Sequence, residues 1–243
     1  PREILELILK DSVVFDDSYI TKNKSFRELM NDEINWNSWG SFGINLALGS
    51  KLDKIASTKE YMYLPDFVYS GFNNAIITHN SNKENLVKLD RYILKFNEIT
   101  PKTELFSPLL IFSLLLILGI AITLKDIKKK KRSKWFDFLL FFVTGIIGLS
   151  IVFLWFFTNH STTPTNFNFL WAFAPNLIVA FYLLKSQPKE WVKKYISLLL
   201  ILLLVIPLIW LTKVQQLPLA SLPLLVLLLL RYISLRKVLL TSH

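Results

Sequence analysis

The chain has 243 residues, of which 52% are hydrophobic, and a formal net charge of +10. That apolar content is too high for an ordinary soluble domain and marks a chain partly embedded in a membrane. With no cysteine, it can hold no disulfide, no thiolate metal site and no Cys nucleophile of its own.

Charge is divided along the chain. Residues 1–104 carry 13 Lys/Arg and 15 Asp/Glu, a net of −2 (13 − 15), and the remainder carries 15 and 3, a net of +12 (15 − 3). The pI near 9.6 is therefore set by basic loops between apolar segments, and no nucleic-acid partner is expected. The fold class that follows is mainly α. A small extracytoplasmic region, α or α+β (1–104), precedes a five-helix transmembrane bundle (105–243).

The first region opens with "PREILELILK", a helix with Pro1 at its start and Ile4, Leu5, Ile8 and Leu9 on one side. Ser25–Glu28 and Ser57–Glu60 both have capping-box spacing, in which Ser and Glu satisfy orphan N–H groups reciprocally. Gly49, after "INLAL", reads as a helix C-cap. Asp53, Glu60 and Asp66 lie near Tyr61 and Tyr63 and form a weak candidate carboxylate cluster. The competing reading is that they cap helix starts, where the dipole favours acids. His79, in "THNSNKEN", reads as an exposed loop residue, and "ENLVKLDRYILKF" (84–96) fits a strand or a short helix. No metal and no cofactor is expected.

Five segments then have the length to cross a hydrocarbon core about 30 Å thick: 105–124, 136–157, 167–184, 195–212 and 217–235. Pro108, Pro218 and Pro223 fall in first turns, whereas Pro175 and Pro207 sit deeper and predict kinks. Thr144 and Gly148, four residues apart, suit close helix packing, and Asp137 is expected to pair with a nearby lysine. Basic residues crowd into 125–134 (seven) and 185–194 (four), with Arg231, Arg236 and Lys237 following Leu230. Loops 158–166 and 213–216 hold only Lys213. The positive-inside rule then places the N-terminal region outside and the C-terminus inside, which in a bacterium means the cytoplasmic (inner) membrane with a periplasmic N-terminal domain. An exported domain needs a signal, and the chain opens at Pro1 without one. A signal peptide is expected upstream, with room for a further domain.

The order and spacing of "LGSKLDKIASTKEYMYLPDF" and "WFFTNHSTTPTNFNFLWAFAPNL" resemble the Lnb-like lipoprotein N-acyltransferase family, best matched by its Bacteroidetes members. The likeness runs along essentially the whole chain. It implies an enzyme that moves an acyl chain onto the amino-terminal cysteine of a lipoprotein, some members leaving a lyso lipid. Membrane lipids and the diacylglyceryl-anchored lipoprotein N-terminus would be its partners. In such proteins a papain-like periplasmic domain carries an early His motif and an Asn-Cys motif shortly before the residues matching "PREILELI". Neither motif occurs here, so no catalytic pair can be assigned within this chain. The resemblance leaves it the role of holding and presenting the lipid substrate.

The polar loop between the second and third spans is the candidate surface for that role. His160, Asn166 and Asn168, followed by Thr158, Asn159 and Thr163, offer donors to ester carbonyls or to the glycerol region of the anchor. Trp155 and Trp171 flank the loop as candidate interface anchors. A plain polar turn explains the same composition. A non-enzymatic binding or sensing domain on a five-helix anchor is the alternative function. A transporter fits less well, because the spans hold almost no ionisable residue. The donor lipid and the oligomeric state are open at this point.

Overall fold

The computed structural model describes residues 1–79, 82–95 and 104–241. In chain order the elements are α1 (Arg2–Leu9), β1 (Val13–Val14), α2 (Phe26–Asp32), α3 (Trp39–Ala47), α4 (Thr58–Tyr61), α5 (Pro65–Asn73), β2 (Ile76–His79) and β3 (Asn82–Asn85). There follow α6 (Pro108–Lys129), α7 (Lys134–Phe156), α8 (Asn176–Leu183), α9 (Glu190–Leu211) and α10 (Leu222–Thr241). The sequence suggests a boundary at 104/105. By internal packing the chain falls into two compact units, Pro1–Asp32 with Lys54–Pro101, and Glu33–Asp53 with Lys102–His243.

The first unit is built on short elements. Its antiparallel sheet runs β1–β2–β3, with Val13 opposite Ile77 and Ile76 opposite Asn85. Val13, Phe15, Met62 and Ala75 form one small core, and Leu29, Ala56 and Tyr61 another. Only half of the apolar set on α1 turns inward: Leu5 and Leu9 pack, whereas Ile4 and Ile8 are exposed. Both capping boxes form. Ser25 N donates to Glu28 Oε2 (2.8 Å) and Glu28 N to Ser25 Oγ (3.2 Å), and Ser57 and Glu60 repeat the pattern at α4. Of the 84–96 stretch, only residues 84 and 85 are strand, the end of β3; 86–95 are irregular and Phe96 lies outside the described residues, as does His243. His79 closes β2 rather than sitting in a loop.

Among the described residues of the second unit, four stretches are long and apolar enough to cross a membrane: Pro108–Lys129, Lys134–Phe156, Glu190–Leu211 and Leu219–Leu239. Lipid offers no partner to a backbone amide, so such stretches close their hydrogen bonds internally as helices. Pro108 takes the first turn of α6, where its missing N–H is harmless, and Pro207 lies within α9. The expected helix over 167–184 is broken. A 3₁₀ turn covers Phe167–Leu170, and α8 starts only after Pro175, which caps it rather than kinking it. Eight residues of helix rise about 12 Å, well short of a hydrocarbon core.

Backbone closeness holds this broken segment against α7. A Cβ on Gly148 would lie 2.0 Å from Ala172 O, and one on Gly145 would lie 2.2 Å from Leu177 N. The small-residue packing read from Thr144 and Gly148 is present, with Gly145 as a further member. Beside it, Asn176 Nδ2 donates to Thr144 Oγ1 (3.0 Å) and Tyr195 OH donates to Asn176 Oδ1 (2.5 Å).

At the basic end, a buried ionic cluster ties the helices together. Asp137 pairs with two arginines rather than with a lysine: Arg231 Nε at 2.5 Å and Arg132 Nη1 at 3.1 Å. Arg231 Nη2 also reaches Asp126 Oδ2 (2.7 Å), whose carboxylate accepts from Ser133 N and Oγ. Arg132 Nη2 donates to Leu183 O and Lys185 O. Guanidinium forks suit this task because one planar group serves several oxygens at once. A lysine's three donors radiate from one nitrogen and lack that planar fork.

Candidate functional site

At the opposite end of the second unit, three stretches far apart in sequence meet: 45–53, 162–171 and 215–216. The organising element is α3. Its N-terminus is capped locally, Ser41 N donating to Ser38 Oγ (3.1 Å). Its C-terminus is not. Leu48 N bonds Ile44 O (3.0 Å), and the chain then turns away, Gly49 N donating to Thr162 O (2.9 Å) and Ser50 N to Thr165 O (3.0 Å). The last carbonyls of a helix then need donors from elsewhere.

Two asparagines supply them. Asn166 Nδ2 donates to Leu46 O (2.8 Å) and Ala47 O (3.1 Å); Asn168 Nδ2 donates to Asn45 O (3.0 Å) and Leu46 O (3.2 Å). Their own acceptors are used as well. Asn166 Oδ1 takes Asn168 N (3.0 Å) and Gln215 Nε2 (3.2 Å), and Asn168 Oδ1 takes Trp171 Nε1 (3.1 Å). Gln215 returns the link through Oε1, which accepts from Phe167 N (2.8 Å), and Gln216 N donates to Asp53 Oδ1 (2.9 Å). A carboxamide suits this position because its NH₂ meets the negative end of the helix dipole while its oxygen remains free to accept.

Gly49 has a different task from the one expected. It has no positive φ and does not form a left-handed C-cap. A Cβ there would lie 1.9 Å from Pro164 O, so glycine is required by the close approach of the loop. Across from it, Thr165 adopts φ 56°, a left-handed value that a β-branched residue rarely takes, and its carbonyl is held by Ser50 N.

The sequence-derived candidates separate into two groups. Asn166, Asn168 and Thr163 are buried. Thr163 Oγ1 donates to Leu154 O (2.8 Å), as Thr158 Oγ1 does (2.7 Å), so both hydroxyls close the end of α7. Asn159 and His160 are exposed, beside the exposed Phe156 and Phe157. Trp171, expected at the interface, is 1% exposed with its indole N–H on Asn168; it is a core residue. Trp155 is half-buried and stacks on Phe156. The three carboxylates do not form one group. Asp53 belongs to the second unit, Glu60 and Asp66 to the first. Glu60 closes its capping box, and the Ser57 amide and hydroxyl hold its carboxyl below the usual range. Asp66 occupies the first turn of α5. Among the described residues no group of His and acidic side chains is placed to hold a metal ion.

Gln215 is the member that sequence reasoning missed. The only available signal was a pair of glutamines, Gln215 and Gln216, placed between two apolar spans.

An apolar helical unit with one basic end and one closed by carboxamides defines a polytopic helical membrane protein. Residues 100–242, more than half of the chain, match the family model described as the Lnb transmembrane domain, and the chain belongs to that family. No curated protein and no solved structure matches it.

Proposed function

We propose that this chain is the membrane-embedded part of a lipoprotein N-acyltransferase of the bacterial inner membrane. In this reading the bundle crosses the bilayer five times, the third crossing being the broken segment 167–184. Loops 158–166 and 213–216 face the periplasm, as does the region ahead of the first span, and the Lys/Arg-rich loops face the cytoplasm. The direct bond from Gln215 to Asn166 supports one shared side for the first pair of loops. The bonds from Arg132 to Leu183 O and Lys185 O support the other side for the basic pair.

The observation that carries the reading is family membership combined with the loop's construction: a base locked onto α3 and an exposed tip of Asn159 and His160 next to Phe156 and Phe157. That junction of apolar rings and polar donors suits the depth at which a lipid's ester groups lie. Asn166 and Asn168 act here by positioning, and Asn159 and His160 make the lipid contacts. In the reaction an acyl chain leaves its ester oxygen, which regains a proton as a hydroxyl, and forms an amide with the lipoprotein's terminal amine. A Cys nucleophile for that step has to come from outside these 243 residues, which contain none.

The test is mass spectrometry of lipoprotein N-termini from cells that depend on the full-length protein carrying Asn159→Ala and His160→Ala. The expected result is accumulation of diacylated N-termini with a free amine while the protein stays membrane-inserted. Full N-acylation in that variant would remove the loop tip from the mechanism.

A further inference from the structure

The first unit carries an apolar and basic segment that its own fold leaves uncovered. After β3 the chain runs without regular structure over 86–95, and there Leu89 is 77% exposed, Tyr92 73%, Ile93 86% and Leu94 71%. Four large apolar side chains within six positions (89–94) are more than a scatter of single exposed residues, which needs no explanation. Lys88, Arg91 and Lys95 alternate with them, against one acid in the segment, Asp90. Asp90 accepts a hydrogen bond from Tyr69 OH on α5, which ties the segment back to its unit. Lys88 pairs with Glu84 (2.9 Å), and Lys95 lies over the Tyr92 ring (5.7 Å). Pro108 opens the first apolar span 13 positions after Lys95 (108 − 95), a reach of at most about 45 Å for fully extended chain.

We propose that residues 88–95 are a membrane-interface contact for a lipid surface bearing anionic headgroups. The chemistry of the segment selects this occupant. Leu89, Ile93 and Leu94 supply apolar bulk for the acyl boundary, and Tyr92 is an amphipathic ring of the kind that settles at headgroup level. The lysine and arginine stems run along apolar surface while their charges stay among phosphates. A second protein would be expected to meet fewer lysines and more regular backbone. Neither β-pairing nor a helical face is on offer here, because the segment is irregular. This contact does not depend on the acyltransferase reading.

These 243 residues contain no cysteine, and any cysteine of the full-length protein outside them is replaced by serine before labelling. Ile93→Cys, and Lys83→Cys on β3 as a control, are labelled in the full-length protein with an environment-sensitive nitrobenzoxadiazole fluorophore. The labelled protein is reconstituted into nanodiscs containing phosphatidylglycerol, with and without brominated acyl chains. At position 93 the emission shifts to the blue and most of it is lost to the brominated lipid; at position 83 neither happens. Replacing Lys88, Arg91 and Lys95 together with Glu restores the emission at 93. A water-like emission at 93 overturns the proposal. A blue shift without bromine quenching also overturns it, because the segment is then covered by protein.

Discussion

Replacing Asn168 with alanine tests the construction of the loop most sharply. The change deletes Nδ2 and Oδ1 from a fully buried position. Leu46 O keeps its bond from Asn166 Nδ2 (2.8 Å), but Asn45 O loses its Asn168 donor and the buried Trp171 Nε1 loses its acceptor. Each buried polar group deprived of its partner costs about 1–3 kcal/mol, so two such groups give roughly 2–6 kcal/mol. Because Asn159 and His160 at the tip are exposed, water can enter from that side, and the lower half of the range, about 2–4 kcal/mol, is expected. Asn168→Asp should be worse by a further ~0.3–1 kcal/mol, since a carboxylate cannot donate and meets the negative end of α3. The assay is equilibrium unfolding of the full-length protein in mixed micelles titrated with sodium dodecyl sulfate. His160→Ala is the control, and a surface change of that kind should stay within about 0.5 kcal/mol. If Asn168→Ala unfolds with the control, or if Asn168→Asp is the milder of the two, capping of α3 by the loop is refuted.

Three further outcomes follow from the same packing. Arg231→Met leaves Asp137, which is fully buried, with Arg132 alone and should destabilise by about 3–5 kcal/mol, with Asp137→Asn recovering part of the loss in the double variant. Gly49→Ala drives a methyl group into Pro164 O, and a loss of about 1–3 kcal/mol is expected, with faster hydrogen exchange at the Ser50 amide than in the unmodified protein. In the first unit, hydrogen bonds from Lys59 and Arg2 hold the Glu6 carboxyl below its ordinary 4.5. Its contribution is therefore complete above that value and is lost as pH falls through the folded pKa. Thermal unfolding of Glu6→Gln should show a shallower acid slope than the unmodified protein; an unchanged slope would assign the dependence to other groups.

Much of both units was legible where the signals are local. Four of the five apolar runs, Pro108 in its first turn and the Ser–Glu caps each depend on residues a few positions apart, and they fold as written. What could not be read is what depends on distance. Asn166 and Asn168 were singled out as polar groups in an outward loop, yet their partners are 119–123 positions away on α3, and no spacing rule reaches that far. The same blindness made Gly49 a C-cap and Trp171 an anchor, when one is small for Pro164 and the other is buried by Asn168. Asp137 was assigned a lysine because lysines are its neighbours in sequence. Its main partner, Arg231, arrives from α10. Residues 167–184 do not form the plain helix their composition suggests, because composition alone does not register that Asn166, Asn168 and Pro175 interrupt its hydrogen bonding.

The proposed function requires contact between the loop tip and a lipid-anchored amine. A photo-reactive benzoylphenylalanine at position 160 of the full-length protein, irradiated in native membranes, reads that contact directly. The expected product is a covalent adduct whose peptide mass contains a diacylglyceryl lipoprotein N-terminus. Efficient incorporation and irradiation with no lipoprotein or phospholipid adduct at that position would contradict it.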